Sequence, residues 1–108
     1  MNDLQEEQEQ IVINLSNKTL DESFLRMFGF WTKKLLNYMF GGSPVPVSIK
    51  GKKSDVEAFS KALGSEKRYM DSLRKYGLDN PKTFKNKAKV EKAVKEFTRK
   101  TGLKWPFK

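Results

Sequence analysis

Residues 19–40 read TLDESFLRMFGFWTKKLLNYMF. Apolar side chains fill this stretch from Phe24 to Phe40, and no other segment of the chain is as dense in them. Thr19-Leu20-Asp21-Glu22 is a capping box, in which the Thr19 hydroxyl accepts from the Glu22 amide and the Glu22 side chain reaches back. Asp21 and Glu22 also suit the positive end of a helix dipole. Gly41-Gly42 supplies the stop. The spacing predicts a helix over about 20–40. At 100° per residue, Phe24, Phe28, Trp31, Leu35, Tyr38 and Met39 fall within about 60° of one line, with Arg26, Lys33 and Asn37 nearly opposite. That line is the expected core face. Leu25, Phe30, Leu36 and Phe40 lie on its flanks and are the expected surplus, available to a partner.

Upstream, residues 1–10 (MNDLQEEQEQ) form an acidic tail with one apolar residue, Leu4. Ile11, Ile13 and Leu15 then alternate with period two in a β-branched run, which predicts a short strand over 11–15. A helix using Leu4, Ile11 and Leu15 is the alternative. Downstream, Val45, Val47 and Ile49 predict a second strand over 45–50. Pro44 and Pro46 make its first half a lead-in, because proline cannot donate to a ladder. The order β-α-β implies a parallel pair with a right-handed crossover.

Two further helices follow. Ser54-Asp55-Val56-Glu57 is a second capping box. Val56, Phe59, Ala62, Leu63, Met70 and Leu73 keep one phase across Gly64, so a single helix is expected over 55–76. Gly64 is its weak point, costing about 1 kcal/mol against Ala. Gly77-Leu78 ends it with Leu78 set to contact Leu73. Asn80 can cap a new turn with Pro81 at its first position. The last helix is expected from about Pro81 or Asn86 to Thr101 (taken as about 84–101), facing inward through Val90, Ala93, Val94 and Phe97 with Phe84 at its entrance. Gly102-Leu103 closes it. The fold class is therefore α+β, mostly helical. A single small domain spans 11–103, and 104–108 is an aromatic, basic tail.

With 108 residues the chain has room for one modest core. It contains neither cysteine nor histidine, which removes disulfides, thiol nucleophiles, Cys/His zinc sites and imidazole acid–base chemistry. The net charge of +9 is unevenly spread: residues 1–22 carry −5 and residues 23–108 carry +14. A basic body of this kind points to nucleic acid, an acidic protein surface or anionic lipid, with plain solubility as the bland reading. No signal peptide is expected from the polar, acidic start, and a cytoplasmic location follows (host cytoplasm or virion, if the chain is phage-derived).

Candidate sites are few. Gly51-Lys52-Lys53-Ser54 resembles the end of a phosphate-binding loop, but Pro46 stands where its first glycine is required, so no nucleotide site is expected. Glu66 falls within the apolar stripe of its helix. It is expected at the stripe's exposed edge, with a buried carboxylate paired to Arg26 or Lys34 as the alternative. Ten bases against Glu91 and Glu96 mark residues 82–108 as the best polyanion contact. Lys82, Lys85, Lys89, Lys92, Lys95, Arg99, Lys100 and Lys104 are the candidates, in salt-sensitive, sequence-tolerant contact with phosphates. A solvated helix face weighs equally. Trp105 and Phe107 are further candidates for a partner's pocket, against packing on the chain's own core.

The segments VPVSIKG (45–51), SDVEAFSKALGSEKRYM (54–70), YGLDNP (76–81) and TGLKWPFK (101–108) together resemble, in texture, small lysine-rich accessory and structural proteins of tailed bacteriophages. The resemblance implies a non-enzymatic virion, assembly or DNA-associated role and transfers no site residues. No cofactor, metal or small-molecule substrate is expected. The expected partners are other chains of an assembly and DNA or RNA. A peripheral membrane protein, using the 24–40 helix at an anionic surface, is the alternative.

Overall fold

A computed structural model describes residues 10–16, 22–41 and 46–107. Five elements follow one another: β1 (Ile11–Asn14), α1 (Glu22–Gly41), β2 (Val47–Lys50), α2 (Lys53–Tyr76) and α3 (Pro81–Thr101). The capping box at 19–22, the Gly41-Gly42 stop and the acidic tail fall wholly or partly outside the described residues.

β1 and β2 pair in parallel, with Ile11 opposite Val47 and Ile13 opposite Ile49. The ladder extends past both strand ends. Ile11 N–H donates to Pro46 O at 2.9 Å, and Leu15 N–H donates to Lys50 O at 2.7 Å. Proline is tolerated at 46 because only its carbonyl is used. Alternation sets the faces: Ile11, Ile13 and Leu15 are buried, while Val12 and Asn14 are exposed. Gly51 follows β2 at φ 150°, and a Cβ there would stand 2.9 Å from Leu15 Cβ. The close approach of these two segments therefore needs a glycine.

α2 and α3 form the principal helix pair, and α1 lies against β1. One aromatic residue from each helix meets at the centre. Phe28 of α1 stacks on Phe97 of α3 at 6.0 Å and meets Phe59 of α2 edge-on at 6.1 Å. Trp105 closes the cluster, 5.3 Å from Phe97 and 6.0 Å from Phe59. Such pairs contribute about 0.5–1.5 kcal/mol each beyond the area they bury. The segment after α3 is thus part of the core rather than a tail.

Several boundaries and contacts differ from expectation. α2 starts at Lys53 with Lys52 as its N-cap and no side-chain cap bond, so Ser54 lies inside the helix and its capping box does not form. α3 starts at Pro81, the earlier of the two expected starts, because Asn80 caps it by accepting from Lys82 N–H at 2.9 Å. Phe84 is then out of phase with Val90 and Phe97 and is 58% exposed. Thr83 takes the inner position, donating its hydroxyl to Ser72 O at 3.3 Å, and Asn86 donates to Ser72 Oγ. At the two helix ends, one glycine behaves as expected and the other does not. Gly102 is left-handed (φ 77°, ψ 0°) and returns Leu103 to the core. Gly77 has ψ −179°, which sends Leu78 outward to 64% exposure, away from the expected contact with Leu73. α2 runs unbroken through Gly64.

Candidate functional site

The α2–α3 pair is antiparallel, and one seam between its helices is lined with cations. Lys61, Ser65 and Arg68 of α2 face Lys89, Lys92, Ala93 and Glu96 of α3 across a groove of about 260 Å³. On α2, Lys61, Arg68 and Lys75 recur every seven residues, which keeps them on one side of a helix. On α3, Lys82, Lys85, Lys89 and Lys92 fall within about 80° of one line. From Lys61 to Lys75 this track measures about 21 Å along the helix axis.

Glu96 is the acid inside the groove, and it is neutralised in place. Lys100 Nζ lies 3.4 Å and Arg99 Nη2 3.7 Å from its Oε2. The Lys100 hydrogen bond and charge, then Arg99 and Lys61, hold the Glu96 carboxyl below the usual carboxylate range. At the other end of the track, Tyr76 sits among ammonium groups. Lys82 Nζ is 3.4 Å from its hydroxyl and 4.8 Å from its ring centre, and Lys75 Nζ is 5.4 Å from the ring centre. The hydrogen bond from Lys82, followed by the charges of Lys75 and Lys82, lowers the Tyr76 pKa.

Of the eight basic residues expected to meet a polyanion, Lys82, Lys85, Lys89 and Lys92 share this seam. Arg99 and Lys100 are engaged with Glu96. Lys95 is not among the residues lining the groove and stands about 60° beyond Lys92 in helical phase. Lys104 lies elsewhere, beside Leu25, Phe28, Gly29, Trp105 and Pro106. Lys61, Arg68 and Lys75 were not candidates from the sequence. Their seven-residue spacing is the signal that identifies them, once α2 is known to pair with α3.

The residues expected to meet a protein partner also divide. Phe30 is 54% exposed and Leu25 is exposed, whereas Phe40 and Phe107 are half-buried. Leu36 and Trp105 are buried within the chain, which removes them as partner contacts. Leu36 belongs to the buried core cluster, and Trp105 turns back over Phe59 and Phe97. Phe40 is covered by cations, with Arg74 Cζ 4.4 Å and Lys67 Nζ 5.1 Å from its ring centre. Met27, also 54% exposed, joins Phe30 on the outer face of α1 beside Ser23 and Arg26. It escaped notice because it sits at the edge of the apolar arc.

Glu66 is a further correction. It is buried at 6% exposure, not at an exposed edge, and accepts the Trp105 Nε1–H at 2.8 Å. This bond joins positions 39 residues apart, so spacing within α2 carries no trace of it. Among the described residues no three acidic side chains gather as ligands for a metal ion, and no helix is long and apolar enough to cross a membrane. Compared with known proteins, the chain matches no family model, no curated protein and no solved structure.

Proposed function

We propose that this chain is a non-enzymatic binding module of a larger assembly, and that it holds a nucleic-acid phosphate backbone along the α2–α3 seam. The observation that carries the reading is the convergence of Lys61 and Arg68 from one helix with Lys89 and Lys92 from the other on a single groove. Solvated lysines on one helix need no such opposing row. The one acid in the groove is already matched by Lys100 and Arg99, leaving the remaining charge for phosphates. Lysine predominates, which favours point-charge contact over bidentate reading of bases. Binding is therefore sequence-tolerant and weakens steeply with salt. The outer face of α1, through Met27 and Phe30, is the surface for a protein neighbour, in keeping with the virion or DNA-associated proteins of phages that the sequence resembles in texture.

The membrane reading has less support. The face of α1 that would enter lipid is committed to the core through Phe28, Leu35 and Leu36. Met27 and Phe30 alone offer little apolar area to a bilayer.

Fluorescence anisotropy with labelled DNA at low salt tests the proposal. We expect binding by the native protein and a large loss in Lys89→Glu/Lys92→Glu. Absence of binding by the native chain, or full binding by the double variant, contradicts it.

A further inference from the structure

The sheet has two strands, so β1 keeps one edge on β2 and one edge that no described strand covers. Ile11 and Leu15 direct their N–H groups to the carbonyls of Pro46 and Lys50 on the β2 side. Strand alternation then points the backbone groups of Val12 and Asn14 out along the other edge, where a further strand would pair. Beside that edge runs a groove of about 270 Å³ between Val12, Ile13 and Asn14 of β1 and Phe24, Met27 and Trp31 of α1. Val12 and Ile13 point to opposite faces of the strand, and β2 takes no part in the lining. The groove therefore lies at the open edge, not on either face. Met27 also lines the recess beside Phe30, so the strand edge and the outer face of α1 form one continuous surface. Among the described residues no charged side chain lines the groove. The strand itself, Ile11–Asn14, has neither the proline nor the charge that guards an edge against pairing.

We propose that a second copy of this chain pairs its β1 antiparallel to this edge, giving a four-stranded sheet in the order β2-β1-β1-β2 with the two α1 helices side by side on one face. The inference rests on the reading of the outer face of α1 as a protein surface and names its occupant. It is independent of the α2–α3 seam, whose lining includes no residue of β1 or α1. Chemistry and charge select a second copy. The groove asks for an uncharged, β-branched strand, and β1 is one. A two-fold axis at Ile13 sets Val12 opposite Asn14 of the second copy, which brings the outward backbone groups of both strands together. The same axis runs the α1 helices antiparallel. The Glu22 end of one then meets the Lys34 end of the other, so acid faces base although the chain as a whole carries +9. A phosphate backbone finds no cation in this groove, and residues 1–10 of the same chain are acidic with almost no apolar side chain to fill it.

Sedimentation equilibrium without nucleic acid, from low to high micromolar protein, tests the pairing. The mass of the native protein is expected to rise with concentration from 12.5 kDa toward twice that value. Val12→Lys charges the open edge and Met27→Glu sets like charges face to face, and each should weaken association at least about tenfold. Both side chains are exposed, so neither change removes core packing, which circular dichroism checks. Val47→Lys, at an exposed position of β2, should leave association unchanged. A native protein that stays monomeric throughout overturns the inference, and DNA binding by that monomer leaves the phosphate seam standing. A dimer indifferent to both Val12→Lys and Met27→Glu, or weakened equally by Val47→Lys, overturns it as well.

Discussion

The indole of Trp105 donates to the Glu66 carboxylate at 2.8 Å, with both side chains buried. A buried carboxylate without a donor is costly, so this bond ties the segment after α3 to the middle of α2. It also fixes the orientation of the ring that closes the aromatic cluster. Trp105→Phe keeps a ring in place and removes the N–H. We expect it to destabilise the fold by about 1–3 kcal/mol, measured by urea unfolding. In a double-mutant cycle with Glu66→Gln, the two changes should couple by more than about 0.5 kcal/mol. Additive effects would show that the bond contributes little.

Thr32 is wholly buried, and among the described residues its hydroxyl has no hydrogen-bond partner. Replacing the hydroxyl by a methyl group of similar shape removes that desolvation cost. Thr32→Val should therefore stabilise the protein by about 1 kcal/mol, read as a higher midpoint in thermal unfolding. A lower midpoint would mean that the hydroxyl is satisfied in solution.

Two glycines should respond in opposite directions. A Cβ at Gly64 meets nothing within 4 Å, and the residue lies inside α2. Gly64→Ala should add about 0.5–1 kcal/mol through the entropy of the unfolded chain and helix propensity. Gly51→Ala meets Leu15 Cβ at 2.9 Å and a positive φ, so it should destabilise by more than Gly64→Ala gains. Chemical denaturation of the two variants side by side checks the pair. Similar changes at both sites would contradict the geometry described for Gly51.

Tyr76 should ionise below the usual tyrosine range because Lys82 and Lys75 favour the phenolate. A depressed acid pKa adds stability above the unfolded-state value and loses it as pH falls through the folded-state value. At neutral pH this group therefore contributes nothing through linkage. Spectrophotometric titration of the native protein should show a phenolate forming below the usual tyrosine range that is missing in Tyr76→Phe. Lys82→Ala should move that ionisation upward. An unchanged curve in Lys82→Ala would contradict the contact.

The helices, the parallel pair and the central faces were legible because each depends on local periodicity. Ile11, Ile13 and Leu15 alternate, Phe59 to Leu73 hold one phase, and Asn80-Pro81 punctuates the chain. What was not legible depends on long-range pairing. Leu36 looked surplus because helical phase says which residues share a side, not how far around that side its neighbours reach. Glu66 read as an exposed edge and Trp105 stood open between a partner's pocket and the chain's own core, since nothing local links positions 39 residues apart. The groove was half legible: α3 announced itself by lysine density, while Lys61, Arg68 and Lys75 lie in a helix whose charges are mixed. Only the antiparallel docking of α2 on α3 joins the two rows.

The salt dependence of DNA binding tests that junction most directly. The logarithm of the binding constant should fall linearly with the logarithm of salt concentration, and each of Lys61→Ala, Arg68→Ala, Lys89→Ala and Lys92→Ala should reduce the slope by about 1. Lys95→Ala, outside the lining of the groove, should reduce it less than any of these. Equal slopes in all five variants and the native protein, or a loss confined to Lys95→Ala, would contradict a phosphate track along the α2–α3 seam.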